Sequence, residues 1–152
     1  MTDPTLKWNR CSTLSKQIVH EQPAAKEFLW AADLDGNIHI KSRRTSQVFS
    51  REDYQAMISH VSATRGGVPL GARHDDKVPE NSVGALMERR RGTQSIRGWC
   101  SHIAAIAVEQ NQLDFIDMGR GPGRGIYLYA KKLTVNDQMT SRSRGSTLDS
   151  ER

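Results

Sequence analysis

A single stretch limits the fold more than any other. Between Thr93 and Asn111 the apolar residues Ile96, Trp99, Cys100, Ile103, Ala104 and Ala107 recur at the spacing of one helical face. A helix with such a stripe must bury it against something else. Partners are visible nearby. Ser50 precedes Asp53 by three residues, the pattern of a capping box. Tyr54, Met57, Ile58 and Val61 follow at i, i+3, i+4 and i+7. Ser82 caps a further helix through Arg91, with Val83, Leu86 and Met87 on its apolar face and Gly92 placed to end it. Three helices are therefore expected, the second and third separated by a tight Gly-containing turn.

Strands flank them. Asp35-Gly36 sits between apolar arms in 26–41, a short-range hairpin signal. Ile38 and Ile40 alternate with Asn37, His39 and Lys41. The stretch 41–46, KSRRTS, reads as a polar break before an extended Gln47-Val48-Phe49. Leu113–Met118 and Ile126–Ala130 form two more strands around Gly119-Arg120-Gly121-Pro122-Gly123-Arg124-Gly125, whose Pro-Gly pair suits a type II turn. Leu14, Ile18 and Val19 predict a short helix stopped by Pro23. Residues 68–81 read as a long loop and 131–152 as a disordered polar tail. The expected organisation is a partly helical segment 1–25, one folded unit 26–130, and that tail.

Composition excludes several classes. Apolar residues make up 36% of the 152, and no run approaches the ~18 a membrane span needs. The opening MTDPTLKWNR lacks an apolar signal core, so a cytoplasmic protein is expected. Two cysteines, Cys11 and Cys100, supply neither a disulfide scaffold nor a zinc site. The net charge is +5, with 15 Arg against 7 Lys, a bias toward the planar fork that suits phosphates and guanine edges.

The order helix, helix, Gly turn, helix, strand, Gly-Arg loop, strand resembles the winged helix-turn-helix superfamily over residues 50–130. The resemblance implies an α+β fold, a winged helix-turn-helix of three helices plus a C-terminal wing hairpin, here preceded by an N-terminal helix and β-hairpin. It implies a DNA-binding protein, a transcriptional regulator acting as a homodimer on double-stranded DNA. The helix at 94–110 would read the major groove through Gln94, Ser95, Arg97, Ser101 and His102, with Gly98 allowing close backbone approach. Arg120 and Arg124 in the loop would enter a minor groove. The string Arg120-Gly121-Pro122-Gly123-Arg124 is similar in part to the AT-hook, with Pro and Arg in a different order. Arg89, Arg90, Arg91, Lys131 and Lys132 would anchor on phosphates, although the arginines also suit the negative end of their helix.

Other readings stand beside this one. A winged fold can serve as a protein-interaction module without nucleic acid, or bind RNA. Trp30 and Phe28, if exposed on the first hairpin, would offer a dimer contact. Asp33, Asp35 and His39, or His74, Asp75 and Asp76, are weak metal or acid-base candidates without a recognised spacing. Neither an enzyme nor a cofactor is expected.

Overall fold

A computed structural model of the chain describes residues 6–14, 18–19, 22–23, 26–72, 78–118 and 125–131. The chain opens with β1 (Asn9–Ser12). Next come β2 (Ile18–Val19) and β3 (Gln22–Pro23), which pair as a minimal antiparallel ladder. Of the helix expected over Leu14–Val19, the described residues Leu14, Ile18 and Val19 are not helical. Three apolar residues before a proline are too few to sustain a helical nucleus, and the β-branched pair Ile18-Val19 favours extension. Leu14 is buried in the core instead.

The hairpin expected around Asp35-Gly36 is present as β4 (Glu27–Ala32) and β5 (Ile38–Ser42), with β6 (Thr45–Phe49) following. The four longer strands form one antiparallel sheet in the order β1-β4-β5-β6. Its inner face carries Phe28, Trp30, Ile38, Ile40 and Phe49, all buried. Alternation along each strand forces this, because the partner registers Trp30↔Ile40 and Ile38↔Phe49 align the apolar positions. Phe28 and Trp30 are thus core residues and cannot form the surface contact considered for them. The β4–β5 turn closes on Asp33, whose carbonyl accepts from Gly36 N–H at 3.0 Å. Its carboxylate accepts from the N–H groups of Asp35 and Asn37, each at 3.0 Å. Gly36 has φ +86°, the left-handed conformation that glycine tolerates.

Next, α1 (Arg51–Ala63) starts at Ser50, whose hydroxyl accepts from Asp53 N–H at 3.0 Å. Met57 and Val61 are buried, with Tyr54 and Ile58 packed at the edge of the core. Of the expected loop 68–81, residues 73–77 lie outside the described residues and the first two are strand. Val68 and Pro69 form β7, which pairs with β9 (Ile126–Ala130), and β9 pairs with β8 (Leu113–Asp117), giving the order β7-β9-β8. Val68 and Leu70 are apolar and buried, and that burial holds this stretch against the molecule. Between β7 and β8 lie α2 (Val83–Arg91), a 3-10 turn Gln94–Trp99, and α3 (Cys100–Glu109). The molecule is thus α+β, with three helices and two larger antiparallel sheets among the described residues.

Two interactions fix how α2 sits. Its first turn lies on the backbone of 70–71: Gly84 N–H donates to Leu70 C=O at 2.9 Å. A Cβ on Gly84 would overlap the Gly71 carbonyl oxygen, so only glycine permits the approach. Its last turn is tied to α1. Buried Asp53 accepts from Arg90 Nε at 2.8 Å and from Arg91 Nη1 at 3.3 Å. Burial by itself would raise the Asp53 pKa. The hydrogen bond and charge of Arg90, with help from Ser50, outweigh it and hold the carboxyl below its ordinary value.

Both ties are measurable as stability. Asp53→Ala should cost about 1–3 kcal/mol, because two guanidinium groups lose their partner. Gly84→Ala should cost about 1–3 kcal/mol through overpacking. Urea unfolding midpoints check both, and a midpoint unchanged from wild type in either variant would contradict the corresponding tie.

Candidate nucleic-acid interface

The turn between α2 and the 3-10 segment is tight. Gly92 adopts φ +73°, and its N–H closes onto Glu88 C=O at 2.8 Å. Thr93 then caps the next segment, its hydroxyl 3.0 Å from the Ser95 hydroxyl. Gln94, Ser95 and Gly98 are exposed, while Ile96 and Cys100 point into the core. Burial pushes the Cys100 thiol up to about 12, which leaves it an inert apolar filler.

Beyond that first turn the helix changes character. Ile103, Ala104, Ala105, Ile106 and Ala107 are all buried. The periodic stripe predicts one buried face and one open face; the structure closes both. The N-terminal sheet covers the side expected to be open, since β1 lies against α3 on one flank while β8 and α2 occupy others. Ala105, placed by the periodicity on the outward face, is 3% exposed.

Two expected groove-reading residues are accordingly placed elsewhere. Arg97 is only 12% exposed at its side chain and donates from Nε to Glu88 Oε1 at 2.7 Å, with Nη2 on the same oxygen. It ties the 3-10 turn back to α2. His102 lies between the rings of Phe28 and Trp99, at centroid distances of 4.8 and 5.0 Å. Its Nδ1 is buried, with no hydrogen-bond partner among the described residues. Desolvation, and secondarily the positive charge of Lys26, lower its pKa to about 4, so the ring is neutral at pH 7. Trp99 is half-buried and packs at the margin of the core, and Ser101 is also half-buried.

The three arginines at the end of α2 divide. Arg90 and Arg91 hold Asp53. Arg91 also donates to Val48 C=O at 2.8 Å and to the Gln47 side chain at 3.1 Å, with its guanidinium 5.7 Å from the Phe49 ring centroid. Arg89 is exposed and donates to Glu80 C=O at 3.1 Å. Neither the phosphate role nor the helix-end role expected of Arg90 and Arg91 anticipates Asp53. That partner lies 37 and 38 residues away, and its position three residues after Ser50 reads as a cap. Lys131 is exposed at the end of β9. Arg120, Arg124, Lys132 and the His74-Asp75-Asp76 triplet lie outside the described residues. The β8–β9 ladder that leads to the Arg120–Arg124 loop is present, closed by Met118 N–H on Gly125 C=O at 2.8 Å.

Among the described residues no three metal-ligating side chains gather. Asp33 and His39 do meet, at 2.9 Å, and the His39 hydrogen bond leads the causes that lower the Asp33 pKa to about 2. Asp35 contributes its backbone N–H to this group. The segment read as a polar break, KSRRTS, is a two-residue hairpin tip joining β5 to β6, with Ser42 opposite Thr45. Two strand-forming segments on either side of Arg43-Arg44 are the available signal for it.

Comparison with protein families, with curated proteins and with solved structures finds no match for this chain.

The neutral His102 predicts a pH dependence. Its folded pKa lies below the ordinary value, so the unfolded chain binds the extra proton first. Stability is complete above about pH 6.5 and falls as pH drops from there toward 4. Asp33 and Asp53, with lowered pKa values, add their losses only at lower pH. Thermal melts between about pH 7 and pH 5 should show a falling midpoint that His102→Phe flattens. Equal slopes in the two proteins would remove His102 as the cause.

Proposed function

We propose that this chain binds double-stranded DNA as a winged helix-turn-helix protein and acts as a transcriptional regulator rather than an enzyme. One observation carries the reading. In the 3-10 turn that follows the left-handed Gly92, Gln94, Ser95 and Gly98 are exposed, while Ile96 is buried, Arg97 is paired with Glu88, and Ile103 to Ala107 of α3 are enclosed. Recognition helices meet base edges with their N-terminal residues, and this is the part of the helix left open. The element order supports it. The strands of a three-stranded antiparallel sheet, β7-β9-β8, flank the helix pair in sequence, and its β8–β9 hairpin follows directly on α3.

The division of labour is narrower than the sequence suggests. Gln94 and Ser95 are the base-reading candidates, with Gly98 giving backbone access. Arg89 and Lys131 are the phosphate-contact candidates among the described residues, joined by Arg120, Arg124 and Lys132 on sequence grounds. Arg90, Arg91 and Arg97 act as internal struts. No described helix is long and apolar enough to cross a membrane. The protein-interaction reading is favoured by one specific fact: three of the arginines expected at a DNA surface are already bonded to carboxylates.

Binding of the full chain to random-sequence duplex across a salt series tests the proposal. The logarithm of the affinity should fall linearly with the logarithm of salt concentration. Arg89→Ala should weaken binding on all sequences and reduce the slope by about 1, whereas Gln94→Ala should cost about 1–3 kcal/mol on a preferred site and relax its sequence. Absence of duplex binding at low salt would reject the proposal in favour of a protein partner.

A further inference from the structure

The outer face of the N-terminal sheet carries charge that neither the core nor the helix pair uses. Opposite the buried face, Arg10, Leu29, Lys41 and Ser46 form one row across β1, β4, β5 and β6, as the registers Arg10↔Leu29, Leu29↔Lys41 and Lys41↔Ser46 require. Arg43 and Arg44 stand at the β5–β6 tip beside this row. Together these residues line a groove of about 600 Å³ in which Glu27 is the one carboxylate among the described residues. Arg10, Lys41, Arg43 and Arg44 are all exposed. Glu27 reaches Arg10 only at 3.9 Å, with both side chains largely in water, so it neutralises little of the face. Lys41 Nζ rests 4.9 Å from the centroid of the Trp8 ring, a cation–π contact.

The tip itself is strained. A two-residue hairpin loop whose first residue has positive φ normally takes glycine, asparagine or aspartate there. This loop has Arg43 at φ +36°. An outlier kept against its local preference is a reason to look for a use at that position. The use available to two adjacent guanidinium groups at an exposed tip is contact with an anion.

The spacing points to an extended polyanion rather than a single small anion. Arg10 and Lys41 are two strands apart, about 10 Å, and the tip lies about 7 Å further along β5. A duplex offers a negative charge every ~1.7 Å of its axis, so several phosphates can meet this row at once. The strand also links the face to the helix turn. Gln47 and Val48, which receive Arg91 at the end of α2, are three and four residues beyond Arg44 on β6, about 10–13 Å away.

We propose that this sheet face is a second anion-binding surface, in which Arg10, Lys41, Arg43 and Arg44 grip the phosphate backbone of duplex DNA. It rests on the function proposed above only for the identity of the polyanion.

Arg43→Gly/Arg44→Ser tests it, because glycine suits the positive φ and the fold should be preserved or stabilised. The probe is a fluorescent random-sequence duplex titrated with the full chain across a salt series. The expected result is a salt slope lower by about 2, near 0.9 for each phosphate that is no longer neutralised, with the thermal midpoint unchanged or raised. Gln94→Ala/Ser95→Ala is measured alongside on the same duplex and on selected sequences. An unaltered slope in the arginine variant would overturn this surface and leave the helix-turn reading intact. Weaker binding by the arginine variant, with no effect of the Gln94 and Ser95 changes on any sequence, would support the surface and reject the helix turn. Equal or tighter binding of a single strand of the same length, with the same dependence on Arg43 and Arg44, would overturn the duplex assignment. Failure of the wild type to bind at about 50 mM salt would overturn both.

Discussion

The enclosure of α3 is the constraint from which the other arrangements follow. Five consecutive residues, Ile103 to Ala107, have no face toward water. A helix buried all round needs neighbours on every side, and here α2, β1 and β8 provide them. Three of the five are alanine, which allows close approach of the surrounding backbone. The N-terminal sheet is consequently part of the same core as the helix pair. Its Phe28 ring lies 4.8 Å from His102 on α3.

Enclosure also decides which polar residues remain available to a partner. Arg97 and Arg90 do not reach out from the helix pair. Arg97 ties the 3-10 turn to α2 through Glu88, and Arg90 ties α2 to α1 through Asp53. Removing a carboxylate from such a pair costs more than the pair itself contributes, since the remaining charge is left poorly solvated. A net charge of +5 therefore says little about where a polyanion would bind. Exposed cations are scattered among the described residues, from the hairpin tip and the sheet row to both ends of α1 and the ends of α2 and β9.

Legibility in the sequence follows the range of the interactions. Short-range signals read well: Ser50 and Ser82 as caps, Gly92 as a helix stop, the hairpin at Asp35-Gly36, and the strands on either side of the Gly-Arg loop. All depend on residues a few positions apart. Long-range pairing is not legible. Nothing local announces that Val68-Pro69 joins β9, that Asp53 receives Arg90 and Arg91, or that β1 covers one side of α3. The periodic stripe Ile96 to Ala107 marks a buried face correctly, but periodicity cannot show that the opposite face is buried as well. His102 and Arg97 escape a reading of the sequence for that reason. At Leu14–Val19 a weak apolar pattern suggests a helix, and β-branching with a nearby proline overrides it.

The strut from Arg91 to β6 bears on how the molecule can be divided. Residue 50 looks like a natural place to cut, with a sheet before it and a helix-rich segment after it. A fragment beginning there would keep Asp53 but lose the Val48 carbonyl and the Gln47 side chain that receive Arg91. It would also bare Ala105 and the His102 ring, along with whatever else of α3 lies under β1. Such a fragment would expose a contiguous apolar strip and would be prone to self-association. The sheet and the helix pair share one hydrophobic core, and any fragment beginning at residue 50 would need its missing sheet replaced by new polar surface on α3.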